Sequence, residues 1–198
     1  PLFNLGPTAF PMTKADVVTV LPSLASSSKI ASLGAVVGTI SQDRATAIAG
    51  RLGAPPALVP ITLTLTSQRA PARTFSFKVV HDQLFTPLLA YLSVANALTS
   101  YERQTGAATY VLRGEARIAG HPALRFDDVF VGDQGAANAS AYVAGPLTAL
   151  YRNATSAFAI EAITLTIDAD EQTRTAEIER VWLDDATVRP GRRTSVHV

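Results

Sequence analysis

The sequence predicts a β-rich α+β fold, antiparallel strands accompanied by two helices, and three observations carry that prediction. Apolar and polar residues alternate with period two in "ITLTLT" (61–66) and "TFSFKVV" (74–80), the pattern of half-buried strands. One long stretch, "TPLLAYLSVANALTSYERQTG" (86–106), repeats its apolar residues at helical spacing instead. The first 60 or so residues hold short Val-, Ile- and Thr-rich runs broken by Pro, Gly or Ser, which suits strands and tight turns better than helices.

Taken in order, "DVVTVLPSL" (16–24) and "LGAVVGTI" (33–40) are the clearest strands of the first third. "ITLTLT" and "TFSFKVV" then form a hairpin around the turn "SQRAPAR". In the helix that follows, Thr86 can cap and Pro87 can take the first helical position, where its missing N–H costs nothing. Leu88, Leu92, Ala95 and Leu98 mark its apolar side, and Gly106 lies just past its end. Two further strands are expected in "ATYVLRGEARI" (108–118) and "ALRFDDVFV" (123–131). A second helix is expected within 137–153, restarted or kinked by Gly145-Pro146. "AITLTID" (162–168) and "TAEIERVWL" (175–183) predict a last hairpin around "ADEQTR", a candidate start of an Ig-like domain. The likeness of "ITLTL" at 61 to "ITLTI" at 163 points to an internal repeat of a hairpin pattern. Domain boundaries follow at 1–58, 59–159 and 160–198. The tail "VRPGRRTSVHV" lacks a cap or polar terminus, and the parent protein is expected to continue past Val198.

Composition narrows the function. The 198 residues are 47% hydrophobic and 17% charged, enough apolar material for one sizeable core or two small ones. A net charge of +1 without basic runs argues against a nucleic-acid partner. No apolar run approaches the roughly 18–20 residues that span a bilayer, so no membrane span is expected. The absence of Cys excludes disulfides, thiolate nucleophiles and Cys-based metal sites. Arg outnumbers Lys and Ala is abundant, a bacterial-looking composition.

Phosphate-binding loops are absent: there is no GxxxxGK[ST] or GxGxxG, and "GAVVGTISQDR" lacks the Lys that would meet a phosphate. His81, His121 and His197 are scattered and sit near strand ends or turns, which suits isolated polar residues better than metal ligands. "DADE" (168–171), Asp127-Asp128 and Asp184-Asp185 lack calcium-loop spacing and fit solvated turns. No metal or cofactor is expected. Ser26, Ser27 and Ser28 are serines without a GxSxG elbow, and His81-Asp82, adjacent in sequence, do not thereby acquire triad geometry. Asn138-Ala139-Ser140 and Asn153-Ala154-Thr155 are glycosylation sequons, short enough to arise by chance.

Three stretches, "FNLGP" (3–7), "PSLASSSKIASLG" (22–34) and "GTISQDRATAIAGRLG" (38–53), make residues 1–56 resemble bacterial exported proteins with a SpoIVB-type serine peptidase domain. The resemblance implies that residues 1–58 are part of a partial β-barrel, a trypsin-like half. It implies a Gly-His-Pro motif whose Pro aligns with Pro1, placing the catalytic His just upstream, and a Gly-Met-Ser-Gly-Ser-Pro motif, absent here, that carries the nucleophile. Gly6-Pro7 would make the tight turn that follows the base. Asp43 is then the candidate orienting acid; the competing reading has it capping a turn or pairing with Arg44 or Arg51.

The expected function is a fragment of a bacterial, secreted or periplasmic serine peptidase, a scaffold part inactive alone. Its partners would be the upstream part of the same polypeptide and a protein or peptide substrate. The alternatives are a non-catalytic β-rich binding module at the cell envelope and an independent hydrolase using His81.

Overall fold

The computed structural model describes residues 8–25, 27–44, 46–68, 71–101, 108–153, 158–184 and 187–198. The first third forms a three-stranded antiparallel sheet of β1 (Phe10–Leu21), β2 (Ser28–Asp43) and β3 (Ile48–Leu52), in that spatial order. β1 and β2 pair from Phe10↔Ile40 to Leu21↔Ser28 with three register shifts, and Gly38 of β2 faces Leu52 of β3. A Cβ on Gly38 would fall 2.1 Å from the Arg51 carbonyl oxygen, so only glycine lets these strands approach as they do. Along most of their length both faces of the ribbon meet solvent: Val18, Leu33 and Leu52 are 70%, 78% and 81% exposed.

The hydrophobic core belongs to a second, five-stranded sheet. It comprises β4 (Leu58–Ser67), β5 (Arg73–Val80), β6 (Ala108–Ile118), β7 (His121–Gly132) and β8 (Ile160–Asp170), in the order β5-β4-β8-β6-β7. Helix α1 (Phe85–Tyr101) follows the first hairpin and α2 (Gly135–Asn153) the second. The chain thus makes a hairpin-helix unit twice and then threads its last long strand between the two hairpins. Ile61, Leu63, Leu65, Leu112, Ile163, Leu165 and Ile167 point to the helix side, where they bury against Ala90, Val94, Leu98, Val143 and Leu147. The alternate residues Thr62, Thr64, Thr164, Thr166, Arg113 and Glu115 form the open face. Full burial of each large side chain contributes about 1.5–3 kcal/mol, so this layer dominates the stability.

Several expectations are met: strands at 61–66, 74–80, 108–118 and 123–131, and two helices. Others are corrected. The sheet is mixed, because β8 runs parallel to β4 and antiparallel to β6. "ITLTL" and "ITLTI" are neighbours in register, Ile61↔Ile163 through Leu65↔Ile167, and the repeated unit is the hairpin plus helix. Residues 173–181 do not pair with β8, whose two edges are already taken by β4 and β6. Ile178 and Val181 in that stretch are exposed, with no buried face to hold them as a strand. Among the described residues the chain pairs again at β9 (Trp182–Leu183) and β10 (Val196–His197). On α1 the buried side is Ala90, Val94, Ala97 and Leu98, while Leu88 and Leu92 face solvent. The helix is apolar nearly all round, so periodicity alone does not select its inner face. α2 is continuous through Pro146.

Candidate functional site at the β5–α1 junction

β5 ends in the buried pair Val79-Val80, and the chain then turns through His81–Leu84 into α1. Asp82 organises this turn. Its Oδ1 accepts the backbone N–H groups of Leu84 and Phe85, each at 2.8 Å, satisfying donors that the helix start would leave orphaned. The Asp82 N–H donates in turn to Thr86 Oγ1 at 2.8 Å, and the Thr86 hydroxyl donates to the Val80 carbonyl at 2.7 Å. Asp82 is therefore the side-chain cap, and Thr86, fully buried, locks the turn from inside the first helical turn.

Residues distant in sequence converge here. The buried Thr8 donates its hydroxyl to Asp82 Oδ2. Phe10, at the start of β1, meets Phe85 edge-on with ring centroids 5.5 Å apart. From the end of α2, the Tyr151 hydroxyl lies 3.0 Å from Thr86 Oγ1. The His81 ring packs against Tyr151 and Phe158 at 5.5 and 5.7 Å, and its Nε2 is buried with no hydrogen-bond partner among the described residues.

The electrostatics follow from this geometry. Burial pushes the Asp82 carboxyl up, but the hydrogen bonds from Thr8, Phe85 and Leu84, together with the charge of His81, outweigh it and hold the group below its ordinary value. Asp82 is ionised at neutral pH. Burial pushes the Tyr151 phenol up against the Thr86 hydrogen bond, and the Asp82 carboxylate adds to the rise. The junction thus holds a fixed anion and a neutral phenol, an arrangement suited to anchoring a strand on a helix start. Among the described residues no serine hydroxyl bonds His81 Nε2.

The other sequence candidates lie elsewhere. Asp43 is the last residue of β2, paired with Ile48, and its Oδ1 is buried without a hydrogen-bond partner among the described residues. Ser27 and Ser28 are exposed at the β1–β2 connection, and Ser26 lies outside the described residues. His121 is exposed at the start of β7. His197 stacks on Trp182 at 5.1 Å, with Nε2 2.5 Å from Asp184 Oδ1; Asp185 lies outside the described residues. Asp127 and Asp168 flank Arg113 at 3.7 and 3.8 Å, Asp128 accepts the Val129 N–H, and Asp170 pairs with Arg174 at 2.5 Å. No group of three or more acidic or histidine side chains placed to hold a metal occurs among the described residues. Asn138 is exposed within α2, and the Asn153 sequon runs into residues outside the description. A shallow cavity of about 280 Å³ at the opposite end of the sheet is lined by Thr66, Thr109, Asp168, Asp170 and Arg174, whose polar groups bond one another or the backbone.

Asp82 was within reach of the sequence as an acidic residue just ahead of a helix. Thr8, 74 positions away, and Tyr151, 65 positions from Thr86, had no local signal. No helix among the described residues is long and apolar enough to cross a membrane. Comparison with protein-family models, curated proteins and solved structures gives no match.

Proposed function

We propose that this chain is the non-nucleophilic part of a bacterial, extracytoplasmic serine peptidase of the SpoIVB type, with protein or peptide substrates. In this reading β1–β3 contribute to a trypsin-like half barrel that the upstream part of the same polypeptide completes, and the unit from β4 to β8 is its scaffold. The observation that carries the reading is the uncovered apolar surface of β1–β3, where Val17, Val18, Leu21, Ile30, Leu33 and Ile48 all meet solvent. Large apolar side chains exposed in this number mark strands that another element covers, and the same strands hold two of the three stretches that resemble the peptidase family.

Asp43 supports the reading from a second side. A buried carboxylate oxygen without a donor is costly, and an imidazole N–H from the catalytic base would satisfy it. The His and Ser of the reaction lie in the family motifs that this chain does not contain, so the chain by itself is inactive. The Ser would attack the scissile carbonyl while the His removes its proton, and Asp43 would hold the imidazole in the correct tautomer.

Fluorophosphonate labelling followed by intact mass tests this on the chain alone and on a version extended upstream through the expected His and Ser motifs. Adduct on the extended protein only is the expected result. Adduct on neither would instead favour a β-rich binding module at the cell envelope.

A further inference from the structure

We infer that the outer face of the helix layer is a dimer interface, closed by a second copy of this chain with α1 of each copy packed on α2 of the other. Neither α1 nor α2 carries a charged residue before Arg152, in the last turn of α2. Charged side chains gather across the sheet instead, where Arg113, Glu115, Arg117, Arg125 and Asp127 stand on the open face. A helix face in water is ordinarily polar or charged. The residues exposed here are Leu84 in the entering turn, Leu88 and Leu92 on α1, and Ala141, Gly145 and Ala149 on α2. Both sets recur every four residues, a ridge of leucines beside a row of small residues.

Gly145 is an independent sign of a close neighbour. A Cβ there would meet nothing within 4 Å and its φ is not left-handed, so nothing described inside the chain calls for glycine, which weakens a helix relative to alanine. The levels of the two rows also match. α1 and α2 pack together, and Thr86 in the first turn of α1 bonds Tyr151 in the last turns of α2, so the helices run antiparallel. Leu88 and Leu92 therefore stand level with Ala149 and Gly145. A two-fold axis along the helices keeps each level and exchanges the sides, laying Leu92 of one protomer on Gly145 of its partner and Leu88 on Ala149. That is the self-complementarity a two-fold dimer needs. The helices, 17 and 19 residues long, measure about 26–28 Å and together span about 20 Å. Two such faces bury about 1,100 Å², which clears the roughly 1,000 Å² of a specific interface. A lipid surface fits less well, because helices that lie on membranes carry rows of Lys and Arg, where α1 and α2 have Arg152 alone.

Sedimentation equilibrium of the 198-residue chain across the micromolar range tests this, and the expected mass is twice the 20.9 kDa of one chain. Gly145→Leu has open space in the monomer, so its circular dichroism spectrum should stay native while dimerisation weakens about tenfold or more. Leu92→Ala should weaken it by about tenfold, and the double variant should return to within about threefold of wild type, because leucine then meets a small residue from the other side. A chain that stays monomeric throughout, or a double variant no better than Gly145→Leu, overturns the interface. A dimer that survives Gly145→Leu but is lost to Val18→Asp, on exposed β1, assigns association to that strand and overturns it too. So does a monomer that floats with phosphatidylglycerol vesicles, which gives the face to lipid. The peptidase reading is decided separately, by adduct formation, so either can fail alone.

Discussion

Replacing Gly114 by Ala should cost the helix-backed sheet about 1.3 kcal/mol net. Gly114 lies in β6 between Phe126 of β7 and Leu165 of β8. A Cβ there would fall 2.2 Å from the Thr164 carbonyl oxygen, 2.8 Å from Leu165 Cδ2 and 3.0 Å from Leu165 Cα. Carbon–oxygen contacts between strands settle at about 3.3–3.6 Å, so β6 and β8 must part locally by about 1 Å. The Leu165 side chain can rotate, but the other two atoms are backbone of a strand held on its far side by β4. Overpacking of this kind costs about 1–3 kcal/mol, and the smaller entropy of the unfolded Ala chain returns only about 0.4–1 kcal/mol. Urea unfolding followed by circular dichroism should show a lower midpoint at unchanged slope, and a melting temperature lower by about 5 °C for a unit of roughly 110 residues. Gly34→Ala is the control: its Cβ would meet Lys14 at 3.4–3.5 Å, an ordinary contact, and stability should move by less than about 0.5 kcal/mol. Equal effects from the two substitutions would refute the argument that close approach is what requires glycine at 114.

Three more outcomes are expected. Asp82, held below the ordinary carboxylate value of 3.8, stabilises the fold fully above about pH 4, and that contribution fades as pH falls through the lowered value. Asp82→Asn should therefore flatten the acid limb of a stability-against-pH curve, and an unchanged limb would count against the carboxylate. Phe126→Ala, deleting a ring that is 2% exposed, should cost about 3–5 kcal/mol in the same urea assay, and a loss under about 1 kcal/mol would mean the site collapses freely. On the proposed peptidase reading, Asp43→Asn in a protein extended upstream should lower kcat by orders of magnitude while leaving the melting temperature nearly unchanged; unaltered kcat would return Asp43 to a turn role.

What the sequence made legible was periodicity. Ile61, Leu63 and Leu65 against threonines, and Phe75 and Phe77 against Thr74 and Ser76, announce strands because alternate side chains face opposite sides of a sheet. The same alternation is blind to partner and direction, so nothing in "AITLTID" said that it would lie parallel to "ITLTLT" rather than fold back on residues 175–183. Asp43 and Asp82 were both visible as residues. Their differing circumstances, one carboxylate oxygen orphaned in a thin ribbon and the other carboxylate saturated by a helix start and Thr8, depend on contacts between positions far apart in the chain.

The placement of β8 has consequences for how the molecule is made. The middle strand of the sheet is the last long one synthesised, and its pairing with β4 joins residues 102 positions apart. Until Ile160–Asp170 leaves the ribosome, each hairpin-helix half carries an unpaired inner edge with an apolar face, and both are open to pairing with another chain. Folding should be slow for a protein of this size, because the loop must close before the contacts across it form. A nascent chain stalled before residue 160 would be prone to aggregate, and a free β8 peptide is the segment most suited to capture it.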